Sequence, residues 1–170
     1  MAGTKTAIYT NDNGDVIKTV RDVSGDNFAP HDEVGLTRIE ITNTEYVSNA
    51  DSKGIDGVVY FPGLLPFLRD NVSGVNPTLS QKLQDKIDDI AAYDAWWAAA
   101  IQLITDTFND MLASLNPAKT ALWEAYRDAP TDQEEADALA AFEASLNNPQ
   151  MVKWQAYQLA LTYPNKPTIR

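Results

Sequence analysis

Between positions 83 and 115, apolar residues recur in steps of four and three, and no other feature constrains this chain as much. Leu83, Ile87, Ile90, Trp97, Ile101, Ile104, Phe108, Met111 and Leu115 follow this rhythm, and Asp94 takes the one missing position. An α-helix turns every 3.6 residues, so such steps keep all ten side chains on one face. The spacing predicts one helix over about 78–115, roughly 35 residues and about 50 Å long. That exceeds the usual length in globular proteins. Two arrangements would bury the seam. It can fold against shorter helices of its own chain, or several copies can meet around an axis, with Asp94 fixing their register. The helix has a second apolar flank at Tyr93, Trp96, Ala100, Leu103, Thr107 and Leu112. A helix apolar on most sides must be covered on most sides, and the later helices total only roughly 40 residues. A homo-oligomer is therefore expected, with three chains preferred.

Punctuation divides the rest of the helical part. Asn76-Pro77, Asn116-Pro117 and Asn148-Pro149 each set a capping residue before a proline suited to the first helical turn. Thr131 with Glu134 reads as a reciprocal capping box. Helices are expected near 78–115, 117–128, 131–146 and 149–162. The front of the chain is written differently, in Gly and β-branched residues. Thr6 to Thr10, a turn at Asn11 to Gly14, and Asp15 to Val23 read as a β-hairpin. Leu36 to Thr42 and Gly57 to Phe61 are further strands, and no helix is expected before residue 75. The fold class is thus α+β. Residues 1–75 form a small β-sandwich or sheet, and residues 76–170 form a helical domain with one long helix. Between Pro62 and Pro77 the chain reads as a connection. It carries an apolar patch at Leu64, Leu65, Phe67 and Leu68, expected to plug the seam between the parts or to serve as a docking site.

Charge and composition exclude several classes of function. The net charge of −11 opposes phosphates, and its spread is even: residues 1–75 hold 6 basic and 11 acidic side chains, the remainder 7 and 13. Nucleic acid is not an expected partner. Mimicry of nucleic acid by an acidic inhibitor is a third reading, disfavoured because no single element concentrates the charge. The most apolar stretch, Ala95 to Ile104, is too short to span a bilayer and contains Gln102, so no membrane is expected. The N-terminal residues lack the apolar core of a signal peptide.

Chemistry has little to stand on. With no Cys and a single His, His31, the chain cannot build the common zinc sites. No activated nucleophile beside a base is recognisable, nor is a Gly-rich phosphate loop. Asn11 to Asp15 lacks the sixth-position glycine and distal bidentate Glu of a calcium loop, Asp51 to Gly57 sets Lys53 where a ligand is wanted, and both read as turns. Carboxylate pairs such as Asp88-Asp89 and Glu134-Glu135 read as solvated helix faces. Neither a metal, a cofactor nor catalysis is expected.

The order of parts resembles the small tail-fibre assembly chaperones of tailed bacteriophages. Ala7 to Ile17, a strand, a polar Gly turn and a strand, is similar to their β opening. Met151 to Leu161 resembles their C-terminal pattern of Trp, two residues, Tyr and a Leu-containing helix end, here with Trp154 and Tyr157. The likeness spans about a fifth of the chain. Gln155 and Gln158 stand where that helix often carries Arg, and the final aromatic-Pro ending is absent. The resemblance implies a β domain that grips a phage tail fibre protein, with helices that bind or gather copies. It implies work in the host cytoplasm during phage assembly. A permanent virion component, such as a head decoration, neck or baseplate protein, is the alternative.

Overall fold

A computed structural model describes residues 5–23 and 35–170 of the chain. The chain is α+β, an N-terminal antiparallel sheet region followed by a mostly helical part with one long helix. His31 and its neighbours lie outside the described residues. Two compact units emerge, one comprising Met1–Tyr93 with Pro167–Arg170 and the other Asp94–Lys166. The change of sequence style near residue 75 coincides with the start of the long helix, whereas compactness divides the chain within that helix.

In the first unit, strands β1 (Lys5–Thr10), β2 (Val16–Val23) and β3 (Thr37–Thr42) form an antiparallel sheet in the order β2-β1-β3. The middle strand is buried along Thr6, Ala7, Ile8, Tyr9 and Thr10. The register pairs Ile8 with Thr19 on one side and with Ile39 on the other. The expected hairpin turn is present. The Asn11 side-chain oxygen accepts the backbone N–H groups of Asn13 and Asp15, both at 2.9 Å. Gly14 closes the turn with a φ of +79°.

A capped helix, α1 (Asn43–Asn49), follows β3 directly. The Thr42 hydroxyl accepts the Glu45 N–H at 3.1 Å, and Glu45 accepts the Thr42 N–H at 2.8 Å. Strands β4 (Lys53–Ile55) and β5 (Val58–Tyr60) form a second, two-stranded sheet, and α2 (Leu65–Val72) precedes the long α3 (Pro77–Ala113). Two expectations change here. The front part holds two helices, and the Pro62–Pro77 connection is mostly α2. Its apolar patch is not a surface but packs between the sheet and the first turns of α3, where a plug between the two parts is expected. Leu64, Leu65 and Leu68 are buried, and Phe67 packs against the same cluster. That cluster joins Ile8, Ile39 and Ile41 of the sheet to Leu79, Leu83 and Ile90 of α3. A sheet covered on this face by helices takes the place of a sandwich. Each fully buried Leu or Ile here contributes about 1.5–3 kcal/mol.

The second unit contains the rest of α3 with α4 (Pro117–Arg127), α5 (Asp132–Ser145) and α6 (Asn148–Ala160). The expected starts hold, with two local changes. Asn147, not Asn148, caps α6, sharing a capping box with Gln150. At α5 the Thr131 hydroxyl accepts the Glu134 N–H, but the Glu134 carboxylate is bound by that hydroxyl rather than by a backbone amide. Met111, Trp123, Phe142 and Trp154 form the buried centre. Phe142 and Trp154 meet edge to face at 5.4 Å, as do Tyr126 and Trp154 at 6.2 Å. Gln150 is the buried polar hub of this unit. Its amide donates to the Ser114 carbonyl, and its oxygen accepts from Lys119 Nζ and the Asn147 N–H.

Candidate functional site

The seam of α3 meets three different fates. Leu83 and Ile90 are buried in the first unit's core, with Ile87 packed against them. At the other end Met111 is buried in the second unit's core, against which Phe108 and Leu115 pack. The middle is uncovered: Trp97 is 44% exposed and Ile101 43%. Ile104 is half-buried and Asp94 is exposed. Leu103, on the second flank, is exposed as well. Of the C-terminal pair, Trp154 is buried and Tyr157 half-buried, so both belong to the second unit's core. Burial lifts the Tyr157 hydroxyl above its usual pKa, with neighbouring Tyr126 adding to the shift.

Around Trp97 the chain builds an aromatic platform. Tyr163 stacks on Trp97 with ring centres 5.5 Å apart and planes 8° from parallel. Trp96 donates its indole N–H to the Pro164 carbonyl at 2.9 Å. Tyr163 is held at a φ of +50°, where a bulky side chain is strained by about 1–3 kcal/mol, so its contacts must hold it there. The result is a stacked, partly exposed aromatic face at Trp97, four residues before Ile101 on α3.

A second candidate lies wholly in the first unit. A cleft of about 370 Å³ is lined by residues of the β1–β2 turn, β5, the first turns of α3 and the tail, among them Asp15, Tyr60, Lys82, Lys86 and Arg170. Lys86 is only 3% exposed. Its ammonium donates to Asp15 Oδ1 at 2.9 Å and to the Arg170 carbonyl at 2.8 Å, and it lies 5.6 Å from the centre of the Tyr60 ring. Burial raises the pKa of Asp15, but hydrogen bonds from Lys86 and Asn11 outweigh it and hold the carboxyl below its ordinary range. The Tyr60 hydroxyl is pushed up by burial and by the Asp15 and Asp56 charges. Asp89 receives the backbone N–H of Arg170 at 2.9 Å and two guanidinium N–H groups at 3.0 and 2.9 Å. That side-chain bonding holds the Asp89 carboxyl below its ordinary range.

Sequence reasoning missed this cleft. Asp89 reads as half of a solvated pair with Asp88, yet its side chain is only 13% exposed. The available signal was Lys86, a cation placed between Leu83 and Ile90 on the buried side of an acidic helix. Nothing local ties residue 170 to residue 89. Among the described residues no group of His, Cys, Asp and Glu could hold a metal ion, and no helix is long and apolar enough to cross a membrane. Comparison with known protein families, with curated proteins and with solved structures gives no match.

Proposed function

We propose that this chain is an assembly factor for other protein chains, a tail-fibre assembly chaperone of the tailed-bacteriophage kind, whose client is an oligomeric and preferentially trimeric fibre protein. The observation that carries the reading is the uncovered middle of the α3 seam. Trp97 and Ile101 keep the four-three rhythm of a helix-packing stripe, and both ends of that stripe are buried while they are not. Large apolar side chains in contact spacing mark association surfaces, and Trp and Tyr are the residues most often found to dominate them. The stacked Trp97–Tyr163 pair loses little conformational freedom on binding, because its rings are already fixed. On this reading the protein also meets its own copies through α3, and its work is done in the host cytoplasm during assembly.

The test is co-expression with tagged tail-fibre chains of tailed phages, followed by purification on the tag. The native chain is expected to be retained. Trp97→Glu with Ile101→Glu should lower retention at least tenfold while far-UV circular dichroism stays unchanged. A native chain that is never retained by any fibre chain overturns the proposal. Mass spectrometry of purified particles assigns the time of action: a stoichiometric copy number would move the protein from chaperone to permanent virion component.

A further inference from the structure

The cleft of the first unit has the chain's own tail as one of its walls, and this inference stands independently of the proposed function. Ile169 packs against the apolar cluster of the sheet and helices. Arg170 is then read at three points: its N–H and guanidinium by Asp89, and its carbonyl by Lys86. Side chain and backbone are recognised together, as in the capture of an extended peptide.

The two sides of this contact are built unequally. Lys86 is held by Asp15, which the β1–β2 turn fixes through Asn11, and the Asp89 carboxylate is largely covered. These receiving groups are anchored on α3 and on the hairpin. The Arg170 side chain, by contrast, is 71% exposed, and an exposed ion pair adds little net stability. When the tail leaves, the Lys86 ammonium loses one of its two acceptors, and a carbonyl of another segment can take that place. Asp85 and Asp88 add to the negative field felt by Arg170, so a cationic segment is favoured over a neutral or acidic one. The cleft also continues beyond the tail, past Asn13, Val58 and Lys82.

We propose that this wall of the cleft binds an extended segment of a partner protein with an apolar residue followed by arginine, and that the chain's own Ile169–Arg170, which lies along it, is a displaceable stand-in. The segment must offer an arginine for Asp89, a backbone carbonyl for Lys86 and an aliphatic side chain for the apolar cluster against which Ile169 packs. An acidic or purely apolar peptide has no guanidinium for Asp89 and keeps only the two backbone contacts.

The probe is a fluorescently labelled peptide of residues 165–170, followed by anisotropy. It is added to the full-length chain and to a full-length double variant, Ile169→Ser with Arg170→Ala, whose own tail no longer fits. The vacated variant should bind the peptide saturably and at least tenfold more tightly than the native chain. Adding Asp89→Asn to that variant should weaken binding at least tenfold, as should a peptide in which the arginine is replaced by alanine. Circular dichroism identifies any variant that has lost its fold. For such a case the native chain is titrated with unlabelled peptide, and displacement of Arg170 is read from its side-chain Nε–H resonance. No saturable binding to the vacated variant together with an unmoved Arg170 resonance would overturn the proposal. Binding indifferent to Asp89→Asn would overturn it equally.

Discussion

Gly14 is where the hairpin turn meets the long helix, and its replacement by alanine should cost far more than a surface change. A Cβ built at this position would lie 3.0 Å from Leu83 Cδ2 and 3.3 Å from Leu83 Cγ. Leu83 is fully buried, so it cannot swing into solvent. Two terms add. Holding an L-residue in the left-handed region costs about 1–2 kcal/mol, and forcing a methyl group into packed core costs about 1–3 kcal/mol. Reduced freedom of the unfolded chain returns roughly 0.4–1 kcal/mol. The net expectation is a loss of about 2–3 kcal/mol.

Two companion variants separate the terms. Gly57 has a similar φ of +80° but nothing within 4 Å of its virtual Cβ, so Gly57→Ala isolates the backbone cost. Gly54 has neither burden, and Gly54→Ala should stay within about 0.5 kcal/mol of the native chain. All four tryptophans lie at positions 96 to 154, in the second unit, so their fluorescence does not report on this region. Urea unfolding should instead be followed by far-UV circular dichroism, with amide exchange of residues 5–10 as the local readout. If Gly14→Ala costs no more than Gly57→Ala, the turn is not packed on Leu83 as described.

Two further outcomes follow from the cores and charges. Phe142→Ala removes the ring that meets Trp154 edge to face and should cost about 3–5 kcal/mol; here tryptophan fluorescence is the right probe, and an unshifted urea midpoint would refute the central role of Phe142. The tail clasp should open in acid. Because Asp89 and Asp15 have folded pKa values below the ordinary carboxylate value of about 3.9, the stability they confer is fully present above that pH. It is lost as pH falls through their folded values, so the Arg170 Nε–H resonance should shift with a midpoint below about pH 4. No shift between pH 5 and 2 would show that Asp89 does not hold the tail.

What sequence reasoning reached and what it missed have separate physical causes. The helices of the second unit were legible because their signals are local: an Asn or Thr cap, a proline in the first turn and a helical apolar rhythm. The first unit carried equally local signals that were read too narrowly. Thr42 and Glu45 have the spacing of a capping box, yet Thr42 was read only as the end of a strand. Asp56-Gly57 carries the positive φ values, 52° and 80°, of a tight hairpin turn, and this turn sets the β4–β5 pairing of Ile55 with Val58. Pro66 falls in the first turn of α2, where proline suits a helix, although the Pro62–Pro77 punctuation around it reads as a connection. The tail clasp is different in kind. It joins residues 81 positions apart, and no pattern in either segment encodes the match.

The long seam shows why spacing alone cannot name a partner. Steps of four and three state that one face of α3 avoids water, without stating what covers it. Leu83 and Ile90 are covered by the sheet and α2, and Met111 by α4 to α6, with no second chain required. The same periodicity therefore serves two intramolecular cores and one exposed interval. Only that interval, Trp97 to Ile101, is left partly exposed. Asp94 is exposed and stands immediately before it. A carboxylate there is well solvated in the single chain, and it would be desolvated only if a partner helix extended past Trp97 toward the start of α3. Replacing Asp94 by leucine should thus leave the stability of a monomer within about 0.5 kcal/mol. In an oligomer buried through this interval it should raise the midpoint of thermal unfolding, because the charge would no longer need to be stripped of water. Melting at several protein concentrations, with mass from light scattering, distinguishes the two. An unchanged midpoint in a species of one chain mass would confine self-association to residues other than this stretch of the seam.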